Sequence, residues 1–488
     1  MCDNVRPPAW RNPRPRGPYH FLVIGAGPAG LVAARGAAAL GAKVALVERH
    51  RLGGDCLNYG CVPSKSFIRT ARLYADMRNA ANFGAPPPED IRVDFHMGME
   101  RVRRIRARIS RVDSASRLAA AGIAVFFGAA RFTGGDVVDV DGTRLQFKKA
   151  MIATGSLPRL PTIPGLEEAG YLTNETVFDL TELPPSLLVI GGGSTGCELA
   201  QAFSRFGSRT TIVHQVPLFL PQEERDAALL LAEALARDGV EIHLNTTAVR
   251  VRVEDGKKCI ETINDGNTAT IAVDQILTGI GHVPAVGGLD LEAAGVAYDA
   301  NEGIHIDDFL CTSNPRIYAA GDVCLEHRFT DSADAAARIV VRNALFLGRK
   351  CVSALTIPWC TYTDPEIAHV GIYVRQARER GIPVKTFTVP MHDVDRAIID
   401  GEEDGFVKIH VREGTDKILG ATVVARHAGE MINALSLAMV AGIGLRTVAR
   451  VIHTYPTQAE AIKMAANAYT RSRLSPFLAW LLRKWVNR

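Results

Sequence analysis

The 488-residue chain carries little net charge. Its 56 lysines and arginines face 52 aspartates and glutamates, which leaves +4. So small an excess does not point to nucleic acid as a partner. No apolar run of about 18 residues is free of charge, so no membrane-spanning helix is expected. The first residues lack an apolar signal core and are rich in proline and arginine instead, which favours a cytoplasmic protein. Cysteine is scarce and odd in number: nine thiols, at positions 2, 56, 61, 197, 259, 311, 324, 351 and 360. That is too few for a disulfide scaffold of this size, and an odd count fits poorly with secretion. No resident metal is expected. With 47% hydrophobic and 22% charged residues, disordered and fibrous classes are excluded as well.

Glycine is plentiful, with 44 residues, and it clusters where backbone must approach a ligand. The apolar run His20–Ile24 leads into Gly25-Ala-Gly27-Pro-Ala-Gly30, an alanine-rich helical stretch, and then Lys43–Glu48. This reads as strand, glycine turn, helix, strand. About 165 residues later the order returns: Leu187–Ile190, then Gly191-Gly-Gly193-Ser-Thr-Gly196, a helix to Phe206, and Thr210–Val213. Two such units, each following a strand and opening a helix, point to two dinucleotide sites. The glycines let a pyrophosphate approach a helix N-terminus. Glu48 ends the second strand, where a carboxylate accepts ribose hydroxyls and repels a 2′-phosphate, as suits the AMP half of FAD or NAD. After Val213 the matching position is His214, with no carboxylate there. NADPH is therefore favoured, with NADH as the alternative, and His214, helped by Arg209 or Arg225, is the candidate for a 2′-phosphate.

Other segments are less specific. Residues 1–17 read as an irregular arm, flexible or anchored by Trp10. Arg101–Leu118 reads as one basic helix with Val102, Ile105, Ile109 and Val112 on its apolar side. Val137–Phe147 and Val249–Val273 alternate like hairpins with Asp-Gly turns at 141–142 and 265–266.

The segment Gly53-Gly54-Asp55-Cys56-Leu-Asn-Tyr-Gly60-Cys61-Val-Pro63-Ser-Lys65 places two cysteines five positions apart. A helical turn and a half brings such sulfurs within bonding distance. With Ala153-Thr154-Gly155, Tyr318-Ala-Ala-Gly321-Asp322, Thr363-Asp-Pro-Glu366 and Tyr455-Pro-Thr-Gln-Ala-Glu460, the chain resembles the pyridine nucleotide–disulfide oxidoreductases over about residues 19–470. Dihydrolipoamide dehydrogenase, glutathione reductase and mercuric reductase are members, and the pattern is closest to mercuric reductase. The resemblance implies an α/β fold with two Rossmann-like domains and an α+β dimerisation domain. FAD would be held by 18–155 and 283–351, NAD(P) by 156–282, and the dimer by 352–471. It also implies a Cys56–Cys61 redox disulfide. Cys61 would be nearest the flavin and Cys56 the interchange thiol. Lys65 would pair with Glu198 beside the flavin, and Asp322 would hold its ribityl chain. Gly54, Thr154, Gly155, Gly321 and Gly281 would lie at the cofactors. The expected assembly is a homodimer in which Tyr455 and Glu460 complete the partner's active site.

Three departures bear on the acceptor. Tyr455 stands where disulfide-reducing members carry a catalytic histidine, and a phenol is a poor base at neutral pH. His453, two residues earlier, is expected to pack or orient. No cysteine follows Cys360, so the vicinal pair of mercuric reductases is missing, as is a metal-binding Cys-x-x-Cys domain ahead of the core. Asp55 replaces a common threonine and is read as a helix cap. His282 also replaces a common arginine. The expected reaction is reduction of a thiol-reactive acceptor, Hg(II) or a related metal ion or small disulfide. Dihydrolipoamide dehydrogenase-like and membrane quinone-reductase readings are the alternatives. Residues 472–488 form a basic, aromatic, amphipathic tail. Docking on the protein's own core or a partner subunit is the favoured reading, and peripheral membrane contact the other.

Overall fold

The computed structural model describes residues 1–88, 90–346, 348–474 and 476–487. The chain folds into two compact units. The first comprises residues 1–71, 92–213 and 246–355, and the second 72–91, 214–245 and 356–488.

The first unit holds both glycine-turn motifs. Strand Tyr19–Ile24 lies parallel between Val44–Glu48 and Thr143–Ile152. Ala124–Phe127 and Ile317–Ala319 extend this sheet, also in parallel. Its strands read as near-continuous apolar runs because both faces are covered. Phe21, Leu22, Val23 and Leu46 are fully buried. A second parallel sheet pairs Ser186–Ile190 with Arg209–Val213 and Gln275–Thr278. The two predicted hairpin regions form. Val137–Val140 pairs with Thr143–Ile152, and Thr246–Glu254, Lys257–Asn264 and Asn267–Val273 make an antiparallel meander. Asp141-Gly142 and Asp265-Gly266 all have positive φ, as a two-residue turn between twisted strands requires.

The N-terminal arm is neither wholly irregular nor loose. Cys2–Val5 forms one helical turn, and Val5 is fully buried. Trp10 donates through Nε1 to the Val125 carbonyl at 3.2 Å, and Asn12 exchanges two hydrogen bonds with Phe127. The single basic helix expected over 101–118 is two helices, Phe95–Ile109 and Ala115–Ala120. Asp94 caps the first through Met97 N at 2.9 Å, and Ser114 caps the second through Arg117 N. Val112 lies past the end of the first helix and is exposed, as is Ile109 at that helix's last position, while Arg106 is buried. Burial pulls the Arg106 pKa down, against the opposing effect of Asp179.

In the second unit a five-stranded antiparallel sheet runs in the order Pro358–Thr361, Glu366–Gly371, Ile418–Ala425, Phe406–Arg412, Val384–Pro390. Helices Ala428–Val440 and Glu460–Ser472 supply Met431, Leu435, Ile462 and Tyr469 to its core. The architecture is the α/β fold with a separate α+β portion that the sequence predicts.

Candidate active site

The cysteine segment is not one helix. Gly54–Asn58 is a short helix that stops at Tyr59, and a new helix, Cys61–Arg78, begins on the second cysteine. The Tyr59 and Gly60 amides both donate to the Asp55 carbonyl, at 2.8 and 2.7 Å. A Cβ at Gly60 would come within 2.4 Å of Asp55 Oδ2, so a larger residue there would displace the Asp55 side chain. Asn58 fixes the loop from inside by donating to the Leu52 and Gly54 carbonyls. The bend turns the two thiols toward each other.

Both cysteines are free thiols, within hydrogen-bonding reach of each other. The Thr330 hydroxyl lies 3.5 Å from Cys61 Sγ. Thr330 opens the helix Thr330–Leu345, and Cys61 opens its own helix. A thiolate at Cys61 therefore meets two helix N-termini, whose partial positive charge favours it. The Cys61 pKa falls from 9.0 to about 6, first through the hydrogen bond from Cys56, then, against the cost of burial, through Lys65 and Thr330. Cys56 is pushed up, chiefly because its proton is given to Cys61, and then by burial.

Lys65 lies one helical turn past Cys61, and its Nζ donates to Glu198 Oε2 at 2.8 Å. The Glu198 side chain is 5% exposed and that of Lys65 35%. Phe67, two residues on, packs against Phe203 at 5.0 Å and Phe206 at 4.7 Å between ring centres. Both rings belong to the helix Ser194–Phe206 that carries Glu198. The aromatic cluster thus sets the register in which the ion pair forms.

Asp55 does not cap a helix. Gly53, at φ 94°, occupies the N-cap position, and the Asp55 carboxylate accepts from Asn174 Nδ2 at 2.9 Å. Burial, then the negative charges at Cys61, Asp322 and Glu175, raises its pKa to about 7. Asp322 accepts from Ser156 Oγ at 2.9 Å. Gly321 lies against Ala29 of the helix Pro28–Ala39, so its segment runs beside the first glycine turn.

The two glycine turns share one logic. Gly25 and Gly191 have φ of 98° and 110°, and Gly30 and Gly196 sit where a Cβ would strike backbone within 2.1 Å. The middle glycines differ. A Cβ at Gly27 would meet only the Gly54 Cα, at 3.7 Å, and one at Gly193 would meet nothing within 4 Å. Each is the N-cap of its helix with no side-chain cap. The open space lies where orphan N–H groups suit a pyrophosphate. Both turns fit a dinucleotide. Glu48 accepts from the Ala26 amide at 2.8 Å and the His50 amide at 2.7 Å, one per oxygen. Each oxygen keeps a lone pair for a ribose hydroxyl, while burial raises the carboxyl pKa.

Other candidates have different surroundings. Thr154 spends its hydroxyl on the Ala285 carbonyl at 2.8 Å. Gly155 and Gly281 both have positive φ. Arg209 is at the start of its strand, Arg209–Val213, and its side chain is exposed. Arg225 donates to the Phe219 carbonyl at 2.7 Å. Burial lowers the pKa of His214 and of His282. In the second unit, Tyr455 is exposed and its hydroxyl donates to Asp395 Oδ2 at 2.7 Å, which raises the phenol pKa. Burial lowers the pKa of His453, and Glu460 opens the helix Glu460–Ser472. Among the described residues no group of three or more His, Cys, Asp or Glu could hold a metal ion.

Sequence reasoning missed Thr330, Asn174, Ser156 and Arg328, which donates to the His282 carbonyl. Their only signal is proximity across 46 to 269 residues, which no local pattern encodes.

Comparison with known proteins agrees with this geometry. Residues 19–339 match the model for pyridine nucleotide-disulphide oxidoreductase, and residues 357–466 match that family's dimerisation domain. A mercuric reductase of Streptomyces lividans is 34% identical, over 93% of this chain and 96% of that protein. A dihydrolipoyl dehydrogenase of Thermus scotoductus is also 34% identical, over 92% and 97%. The HOCl-induced flavoprotein disulfide reductase RclA of Escherichia coli, solved as a Cu(II) complex, superposes with a TM-score of 0.82 at 30% identity, over 91% of this chain and 98% of that one.

Proposed function

The chain belongs to the pyridine nucleotide-disulphide oxidoreductase family, an FAD-dependent family of oxidoreductases, and within it we propose that this enzyme uses NADPH to reduce a soft, thiol-binding acceptor of the Hg(II) type. The bound flavin supplies the relay between the two-electron chemistry of the nicotinamide and that of the thiols. The domain limits follow the family's order: 18–155 and 283–351 for FAD, 156–282 for NAD(P), 352–471 for the homodimer.

The protein's own groups have separable tasks. Cys61 holds a thiolate at neutral pH. Cys56 keeps its proton until the acceptor displaces it. Lys65, pinned by Glu198, keeps a positive charge beside the place where negative charge accumulates. Reduction of the disulfide takes two electrons and yields the dithiol that a soft metal ion prefers as ligand. With Hg(II) the overall balance is NADPH and Hg(II) going to NADP⁺, a proton and Hg(0).

The observation that carries the choice of acceptor is Tyr455. Its phenol is bound to Asp395 and its pKa is raised. It cannot shuttle a proton at neutral pH as an imidazole does, and dithiol–disulfide exchange needs that shuttle. A metal ion bound between two sulfurs does not. The nicotinamide choice rests on His214, where no carboxylate repels a 2′-phosphate.

The test is steady-state kinetics with NADPH and NADH against Hg(II), dihydrolipoamide, small disulfides and a quinone. The highest kcat/KM is expected with NADPH and Hg(II). Faster turnover of dihydrolipoamide with NAD⁺ overturns the proposal. So does quinone reduction that survives replacement of both Cys56 and Cys61 by serine.

A further inference from the structure

The match to the family's dimerisation domain ends at residue 466, and the C-terminal residues beyond it have a chemistry of their own. Residues 461–488 contain six lysines and arginines and no aspartate or glutamate. Two of the chain's four tryptophans, Trp480 and Trp485, lie within this stretch. Pro476–Val486 forms a helix. Every described side chain from Arg471 to Asn487 is exposed, with Phe477 at 69%, Trp485 at 74% and Val486 at 81%. The side chain of Leu478 lies outside the described residues.

The faces of the helix are unequal. At 100° per residue, Phe477, Leu481, Leu482, Trp485 and Val486 occupy one half of the circumference. Arg483 and Lys484 fall in the other half with Trp480, whose ring carries the Lys484 ammonium at 4.3 Å and stacks with Phe477 at 6.0 Å. Aromatic residues beside cations, on a helix about 16 Å long, suit the boundary between lipid headgroups and acyl chains. They do not suit a bilayer core about 30 Å thick. The absence of aspartate and glutamate side chains from this stretch gives its side-chain charges one sign. Pairing with the same helix of a second copy would bring like cations together and repel them. An anionic bilayer neutralises them while it covers the apolar half.

We infer that the helix Pro476–Val486 anchors the enzyme reversibly on an anionic lipid surface, lying in the plane of the interface. The inference is independent of the acceptor, since it uses no residue of the thiol or dinucleotide sites.

The experiment is co-sedimentation of the holoenzyme with vesicles of phosphatidylcholine alone or with 30% phosphatidylglycerol, with tryptophan emission followed in parallel. Binding to the anionic vesicles with a blue shift is expected, weakened by salt. The R483E/K484E variant should bind at least about thirtyfold more weakly, at about fivefold per lost cation. W480S/W485S should lose both binding and the blue shift, and NADPH oxidation with a soluble acceptor should be unchanged in both. Equal binding to neutral and anionic vesicles overturns the charge argument. No binding to either overturns the proposal. Dissociation of the dimer in W480S/W485S, seen by light scattering, would instead assign the apolar half to the partner subunit.

Discussion

Alkylation of Cys61 offers a quantitative check on the electrostatics of the site. Its pKa of about 6, against the ordinary 9.0, makes it about 9% thiolate at pH 5, where an ordinary thiol is about 0.01%. That is a ratio of about 900. A thiolate three units less basic is also a weaker nucleophile, by about twentyfold at a Brønsted slope near 0.45. The reduced, flavin-free protein should therefore react with iodoacetamide at Cys61 about fortyfold faster than a free thiol at pH 5. At pH 7 the advantage falls to about fivefold. The rate should follow a single ionisation near pH 6, read by mass mapping of the Cys61 peptide. The hydrogen bond from Cys56 is the largest cause of the shift. A hydrogen bond to a charged group contributes about 1.5–3 kcal/mol, so Cys56→Ala should raise the midpoint by about one to two units. A parent midpoint above about pH 8, or one that Cys56→Ala leaves unmoved, refutes the reasoning.

Lys65→Gln leaves Glu198 buried without its cation. Because Lys65 is about one-third exposed, the loss falls below that of a fully buried pair, at about 1–3 kcal/mol by urea unfolding. Asp55 has its folded pKa raised to about 7 from 3.8. The folded state therefore holds this proton more tightly, and the stability it contributes is full below about pH 4 and lost as pH rises through 7. Asp55→Asn should raise the melting temperature at pH 8 relative to the parent and give no such gain at pH 3.5. Tyr455→His should raise turnover of small disulfides by about 10²-fold or more, the usual worth of a positioned acid–base group, with an unchanged rate of reduction by NADPH in stopped flow.

The parts legible in the sequence are those the chain encodes locally. Both glycine turns are contiguous strand–turn–helix strings, and the hairpins carry Asp-Gly pairs that fix their turns. The Lys65–Glu198 contact spans 133 residues and is expected only through the family resemblance, because no periodicity links the two positions. The Phe67, Phe203 and Phe206 packing that sets its register is invisible for the same reason. Sequence and structure part where a regular pattern is interrupted. The apolar stripe over 101–118 takes no account of Ser110, whose hydroxyl returns to the Ala107 carbonyl at 2.8 Å, or of Ser114, which caps a second helix. The Asp55 side chain suits a cap, whereas Gly53 supplies the left-handed backbone that the turn requires. The tail is apolar enough to suggest a core, although its charges are of one sign.

Electrical connection between the thiol pair and the flavin is the central claim, and anaerobic titration of the holoenzyme with NADPH measures that directly. Two-electron reduction should produce a long-wavelength band from charge transfer between the Cys61 thiolate and the oxidised flavin. The band should disappear in Cys61→Ser and fade as pH falls through about 6. Simple bleaching of the flavin without that band, in the parent at pH 7.5, would place Cys56 and Cys61 off the electron path and contradict the proposed function.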